Sequence, residues 1–377
     1  MKRNLFAVMF VTIFLIHCVQ KERRPAATEK SSTPRIPNQE SPPKSLDALS
    51  SARPFESCTN DKKNYLEKQI LSKVSANYLT VNNNDWEKSI PLKCIQFAQQ
   101  NFRGSFAYCE NQDDRPVTTA PKPCLTENYS RLVYNAYHDV KNCFNLDPRR
   151  SYLQIMIESG FHINAINKAG FDAGISQFTK NGIMRVMDKG LLQKTREQLL
   201  MTSSPSCQRI ANVFDDLEKD SFDVNKRCSM ISLPQNPYRA LVLHYLHTLK
   251  DQIYFKNEFL SSRPELATVV TPEILEQFVY MAYNRGLSGT LKIIDGYVKS
   301  RKAMGQTISA NDMDLFQNLS AARKILKNEP EKREILKRAR IKKLTLAEYA
   351  IIHDKSYVAT MAEARDYVKS VLGDACF

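Results

Sequence analysis

Along most of this chain, apolar residues recur every three to four positions. In residues 64–79, Leu66, Ile70 and Val74 form one apolar stripe. Residues 90–102 continue the same pattern. Residues 127–143 put Leu132, Val133, Ala136 and Val140 on one side of an amphipathic helix. Asp147-Pro148 opens a helix that runs to about 158, because proline suits the first helical turn. Residues 181–231 read as short helices. Pro237 starts a helix rich in Leu and His that extends to about 260. Thr271-Pro272-Glu273 starts another, which stops near Asn284-Arg285-Gly286. Charged helices are expected over 313–329 and 330–345, and a last helix over 356–372 ending at Gly373. Residues 103–124 carry glycine, prolines and little periodicity, so they read as loop. No alternating strand pattern and no repeat is evident. The fold class expected is all-α.

The start of the chain stands apart from this helical pattern. Lys2 and Arg3 precede an apolar run, Leu5–Ile16, which Lys21, Arg23 and Arg24 terminate. That is the layout of a secretory leader over 1–18, too short to span a bilayer comfortably. Leu15 and Cys18 fit a bacterial lipobox and His17 does not, so lipidation of Cys18 and plain secretion both stay open. Residues 19–54 hold six prolines among Ser, Lys and Glu and cannot bury a core, so they read as a linker. Residues 55–125 are expected as an N-terminal helical extension with a Cys-bounded loop. Residues 126–377 are expected as the main domain, interrupted near 181–231 and 290–355.

One segment breaks the helical rhythm in a way that invites chemistry. In MIESGFHINAINKAGFDAGISQF, residues 156–178, an apolar helix ends on Glu158 and gives way to a glycine-punctuated loop. Apolar walls and the negative end of the helix dipole both favour a protonated carboxyl there. A protonated carboxyl can act as a general acid. Gly170 and Gly174 allow close backbone approach, and Gln177 offers a donor and an acceptor. The plainer reading of Glu158 is a solvated charge at a helix end.

Charge and cysteines narrow the class. The formal net charge is +14, and loss of Lys2 and Arg3 with the leader leaves about +12. A basic surface suits nucleic acid, anionic lipid or an acidic polymer. In an exported protein nucleic acid is the least favoured, and bacterial wall glycan with acidic stem peptides is a natural partner. There are nine cysteines, eight without Cys18, an even number that disulfides would use. Eight cysteines allow about a hundred connectivities. Cys109–Cys124 and Cys207–Cys228 are the two pairs that would each close a polar loop. No C-x-x-C or Cys/His cluster points to a metal.

The motifs resemble those of the lytic transglycosylase and goose-type lysozyme superfamily. The first, E-S-x-F-x-x-x-A-x-S-x-x-G-A-x-G-L-x-Q, is similar to Glu158-Ser159, Phe161, Ala165, Asn167, Gly170, Gly174, Ile175 and Gln177. The second, A-Y-N-x-G, stands as Ala282-Tyr283-Asn284-Arg285-Gly286. A third, of E-T-x-x-Y-V type, is similar to Glu363-Ala364-Arg365-Asp366-Tyr367-Val368. All three follow the family's order, and the likeness covers about 127–372. The departures are Asn167 for the common Ser, Arg285 for a small residue, and one extra residue between Gly170 and Gly174 that brings in Phe171 and Asp172.

The resemblance implies a lysozyme-like domain with helical insertions that cuts the β-1,4 bond between N-acetylmuramic acid and N-acetylglucosamine. Glu158 would be the single acid/base. Ser159 would support the acid and its loop, while Gln177, Tyr283, Asn284 and Tyr367 would bind the glycan; read as residues alone, Tyr283 and Tyr367 are equally core tyrosines with satisfied hydroxyls. Asp172 would hold a hydrolytic water, pair with a deacetylated amine, or serve only as a turn residue. His162 reads as a loop residue facing solvent. The resemblance implies neither cofactor nor metal. A monomer acting on glycan strands is expected, in the periplasm, anchored at the outer membrane through a lipidated Cys18, or secreted. Transglycosylation giving 1,6-anhydro ends is the first expectation, and hydrolysis of the same bond, including deacetylated wall, is the second. A wall-binding protein without turnover and a nucleic-acid binder are the alternatives from other classes. The stretch Glu329–Lys343 reads as a solvated charged face or as a grip on anionic polymer.

Overall fold

A computed structural model describes residues 90–108, 117–120, 127–144, 148–167, 172–186, 189–219, 237–316, 345–354 and 357–377. The leader, the linker, the helix expected over 64–79, the Cys109–Cys124 pair, Gly170, Phe171 and the stretch Glu329–Lys343 lie outside them. Helix accounts for 74% of the described residues and strand for 4%, so the chain is mainly helical as expected.

Along the chain, α1 (Leu92–Asn101) leads into β1 (Ser105–Tyr108) and β2 (Val117–Ala120), followed by α2 (Glu127–Phe144). A 3-10 turn (Pro148–Ser151) precedes α3 (Tyr152–Glu158), and β3 (Ala165–Ile166) follows it. Next come α4 (Lys180–Val186), α5 (Lys189–Leu200), α6 (Pro205–Lys219) and α7 (Pro237–Tyr254), which continues into a π-helical turn (Phe255–Phe259). Then follow α8 (Pro264–Ala267), α9 (Pro272–Arg285), α10 (Leu287–Ala303), α11 (Ala310–Met313), α12 (Leu346–Asp354) and α13 (Tyr357–Leu372), with a closing 3-10 turn, Gly373–Cys376.

The chain divides into two compact units. One comprises Glu158–Tyr245 with the described residues up to Arg149, and the other comprises Arg150–Ile157 with Leu246–Phe377. The chain crosses from one to the other within the 3-10 turn, at the end of α3 and within α7.

In the first unit, α2 buries Leu132, Val133, Ala136 and Val140 completely, as its periodicity predicts. It packs against α1 and α6, and α6 packs against α5. The seam between α2 and α6 carries a disulfide, Cys143–Cys207. The expected Cys207–Cys228 pair is therefore wrong: packing brings Cys207 to a residue 64 positions earlier, rather than across its own loop. Beside the disulfide lies fully buried Asp139. It accepts from Arg209 Nε at 2.8 Å, Arg209 Nη2 at 2.5 Å and Tyr238 Oη at 2.6 Å. Burial is the largest influence on this carboxyl and would raise its pKa. The hydrogen bonds from Arg209, His138, Tyr238 and Ser206 together outweigh it and hold the group below its usual value.

The expected loop over 103–124 contains two strands. β1 pairs antiparallel with β2 on one side and with β3 on the other, with Phe106 opposite Ala165. Strands of four and two residues are too short to show alternation in sequence, and the β1–β3 pairing joins residues about 60 positions apart.

In the second unit, one apolar cluster joins Phe255, Phe278, Met281, Ile294, Tyr297, Met313 and Leu346. Residues from α10 to α12, a span expected as an insertion, thus supply core. Thr271 caps α9 by accepting from Ile274 N at 3.3 Å, with Pro272 in the first turn, and Gly286 ends the helix at φ 76°. Both ends follow the sequence signals. α9 packs against α10 and α13.

Candidate functional site

The described part of the first motif folds as one interlocked turn. In α3, residues Tyr152–Ile155 are buried, and Glu158, its last residue, is partly exposed. The chain then reverses through Gly160 at φ 55° and Phe161 at φ 64°. A phenylalanine in the left-handed region is strained, and its complete burial, with the Tyr137 ring 6.2 Å away, holds it there. Ser159 is buried. Its Oγ accepts from Phe161 N at 3.1 Å, and its carbonyl accepts from His162 N at 3.0 Å. Ser159 thus makes a hydrogen bond within the turn that follows Glu158. Gly160 is required by contact as well as by φ, because a Cβ there would sit 2.4 Å from Phe102 Cβ and 2.8 Å from the Ala98 carbonyl oxygen.

His162 does not face solvent. It is 1% exposed, with Nε2 3.1 Å from the Gln99 carbonyl oxygen and its ring against Phe106 at 4.9 Å. The adjacent β1 supplies that shelter, which the local sequence does not reveal.

Beyond β3, backbone contacts double the chain back on itself. Ile166 bridges Ala173, and Ala173 bridges Phe178. Asn167 N donates to the Asp172 carbonyl at 3.1 Å, and Asn167 Nδ2 donates to Asp172 Oδ2 at 3.2 Å. Gly174, at φ 78°, donates its N–H to the Ala165 carbonyl at 2.9 Å. Gln177, at φ 47°, donates through Nε2 to the carbonyls of Ala165 at 2.9 Å and Gly174 at 2.7 Å. Its amide hydrogens thus brace the turn, and Oε1 is the atom of its carboxamide left to offer a ligand.

Comparison with protein-family models, curated proteins and solved structures found no match.

The other candidate residues fall in the second unit. Tyr283 lies near the end of α9, partly buried, with its ring 5.2 Å from that of His247 and at 74° to it. Asn284 and Arg285 follow it and are exposed. Tyr367 lies in α13, partly buried, beside fully buried Val368. Because α9 packs against α13, the second and third motifs lie on neighbouring helices. Phe316 lies between the two. It stacks on Tyr280 at 6.4 Å, and the Arg365 guanidinium lies 4.8 Å from its centroid.

Sequence reading missed His247. The available signal was a set of polar residues at helical spacing in α7, His244, His247, Lys250 and Asp251; all four are under 9% exposed. Among the described residues, no group of three His, Cys, Asp or Glu is placed to hold a metal ion. Among them, no helix is long and apolar enough to cross a membrane. Cys94 and Cys376 are also disulfide-bonded.

Proposed function

We propose that the chain is a peptidoglycan-cleaving glycosidase of the lytic transglycosylase type, with Glu158 as its single acid/base. The observation that carries this reading is the fold of residues 158–167 and 172–178. A carboxylate ends a buried helix, partly exposed, and the turn behind it is braced by other residues of the same motif: Ser159, Gly174 and Gln177.

In this reading Glu158 donates its proton to the glycosidic oxygen as the bond from that oxygen to C1 of N-acetylmuramic acid breaks. The transition state is oxocarbenium-like. The resulting carboxylate then takes the proton of the sugar's own 6-hydroxyl, whose oxygen closes on C1 and leaves a 1,6-anhydro end. Proton transfer of this kind contributes on the order of 10²–10⁴-fold. Glycan recognition is assigned to Tyr283, Asn284 and Tyr367 by their place in the second and third motifs. The basic composition suits a wall polymer with acidic stem peptides. The leader-like start and the oxidised cysteines support export to the periplasm, the outer membrane or the medium.

The test is mass spectrometry of the fragments released from acetylated and deacetylated sacculi by the oxidised chain and by Glu158→Gln. Anhydro ends that vanish in the variant are expected. Reducing ends would make the enzyme a hydrolase acting on the same bond. Sacculus binding without release would make it a wall-binding protein, and neither release nor binding would end the wall reading.

A further inference from the structure

The glycosidase reading leaves unused an aromatic contact that reaches one of its own motif residues. His247 is 8% exposed on α7, and its ring meets the ring of Tyr283 edge-to-face. Tyr283 is the aromatic of the A-Y-N-x-G motif. It stands where α9 passes from core to solvent: Ala282 before it is 2% exposed, Asn284 and Arg285 after it are exposed, and the helix ends at Gly286. A tyrosine at such a border has an apolar body to seat and a hydroxyl to present. A ring meeting it at 74° restricts the plane in which that hydroxyl is held.

We infer that His247 is a positioning residue for Tyr283, orienting its ring for glycan binding. The inference rests on the glycosidase reading and deepens it. His247 acts through Tyr283 rather than on the reacting atoms, so its loss weakens binding and leaves the chemical step alone. An edge-to-face ring pair corresponds to a change of roughly three- to tenfold in a binding constant.

The experiment compares the full oxidised chain with His247→Leu and His247→Phe, each alone and combined with Tyr283→Leu. The substrate is uncrosslinked strands of alternating N-acetylglucosamine and N-acetylmuramic acid. His247→Leu is expected to raise KM roughly three- to tenfold with kcat within about twofold. His247→Phe, which keeps a ring, should restore KM to within about twofold of the parent. In the Tyr283→Leu background, His247→Leu should add nothing further. If His247→Leu does not fold, as judged by circular dichroism, His247→Gln replaces it. Calorimetric binding of the strands to Glu158→Gln, with and without the His247 change, reads the same effect without turnover.

An unchanged KM in His247→Leu would overturn the inference. So would a fall in kcat matching the rise in KM, or an effect that persists without Tyr283. The glycosidase reading would fail separately, through strand binding that depends on His247 while the parent chain releases no fragments. Absence of both binding and release would overturn the two together.

Discussion

Asp139 is fully buried yet held as an anion, which makes Asp139→Asn a demanding test of the packing argument. Asparagine keeps the volume and one acceptor oxygen, so Tyr238 can retain its hydrogen bond. It cannot retain both bonds to Arg209, because an amide nitrogen would face the guanidinium where a carboxylate oxygen stood. Arg209 is then a cation 22% exposed without its counter-charge. Breaking a buried pair from one side costs about 3–5 kcal/mol. With a urea slope near 3 kcal/mol/M, that moves the midpoint by about 1 M or more. The assay is urea unfolding of the oxidised protein, with the Cys143–Cys207 disulfide verified by mass. The first unit's transition is followed by hydrogen exchange in α2 and α6, since two units need not unfold together. The pH dependence has a definite sign. A carboxyl held below its unfolded value contributes stability above that value, about 3.9, and loses it as pH falls through the lower folded value. The gap between parent and variant should therefore be full at pH 6 and close below about pH 4. Adding Arg209→Met removes the stranded cation and should recover part of the loss. A cost under about 1 kcal/mol at pH 6, the scale of an exposed pair, would refute the reasoning.

Three further perturbations have defined outcomes. Removing the disulfide with Cys143→Ser and Cys207→Ser opens a constraint spanning 64 residues, which in the chain-entropy account is worth about 4 kcal/mol; urea unfolding checks this, and a loss below about 1 kcal/mol contradicts it. Gly160→Ala meets both a left-handed φ of 55° and a contact of 2.4 Å, so a loss above about 2 kcal/mol is expected in thermal unfolding, with Gly182→Ala as a control lacking both. Gln177→Leu removes two hydrogen bonds to the Ala165 and Gly174 carbonyls, so faster amide exchange at Gly174 and Gln177, together with slower wall-fragment release, is the expected pair of results; unchanged exchange would show that the side chain does not brace the turn.

Helices were legible wherever a local signal sufficed. The Thr271-Pro272 start and the Gly286 and Gly373 stops needed only neighbouring residues, and each glycine has the positive φ its position requires. The buried face of α2 could be read from period alone. What was hidden depends on distant partners. β1 and β2 show no alternation within four residues. His162 looks like a loop residue until β1 and Gln99, 63 positions earlier, cover it. Cys207 looks poised to close its own loop until α2 packs against α6. The site divides in the same way. Glu158 at the end of its helix was visible from apolar spacing and the glycines that follow. The committed amide of Gln177 was not, because sequence gives a residue's hydrogen-bonding capacity and not where that capacity is used.

Two of the departures from the motif that the chain resembles, Asn167 and Asp172, are linked by hydrogen bonds. Asn167 stands where serine is common, and Asp172 falls within the stretch lengthened by one residue. Read separately, they suggest an altered subsite and a second carboxylate. In the fold they bond to each other, backbone to backbone at 3.1 Å and Nδ2 to Oδ2 at 3.2 Å, across the residues that separate them. A serine hydroxyl at 167 is shorter than the asparagine amide that makes this bond. Asp172 Oδ2 already accepts this amide, which favours its reading as a turn residue over a free base holding water. The acid/base work in the proposed reaction then rests on Glu158 alone, and a single carboxylate suits closure by the substrate's own 6-hydroxyl better than activation of water by a second group.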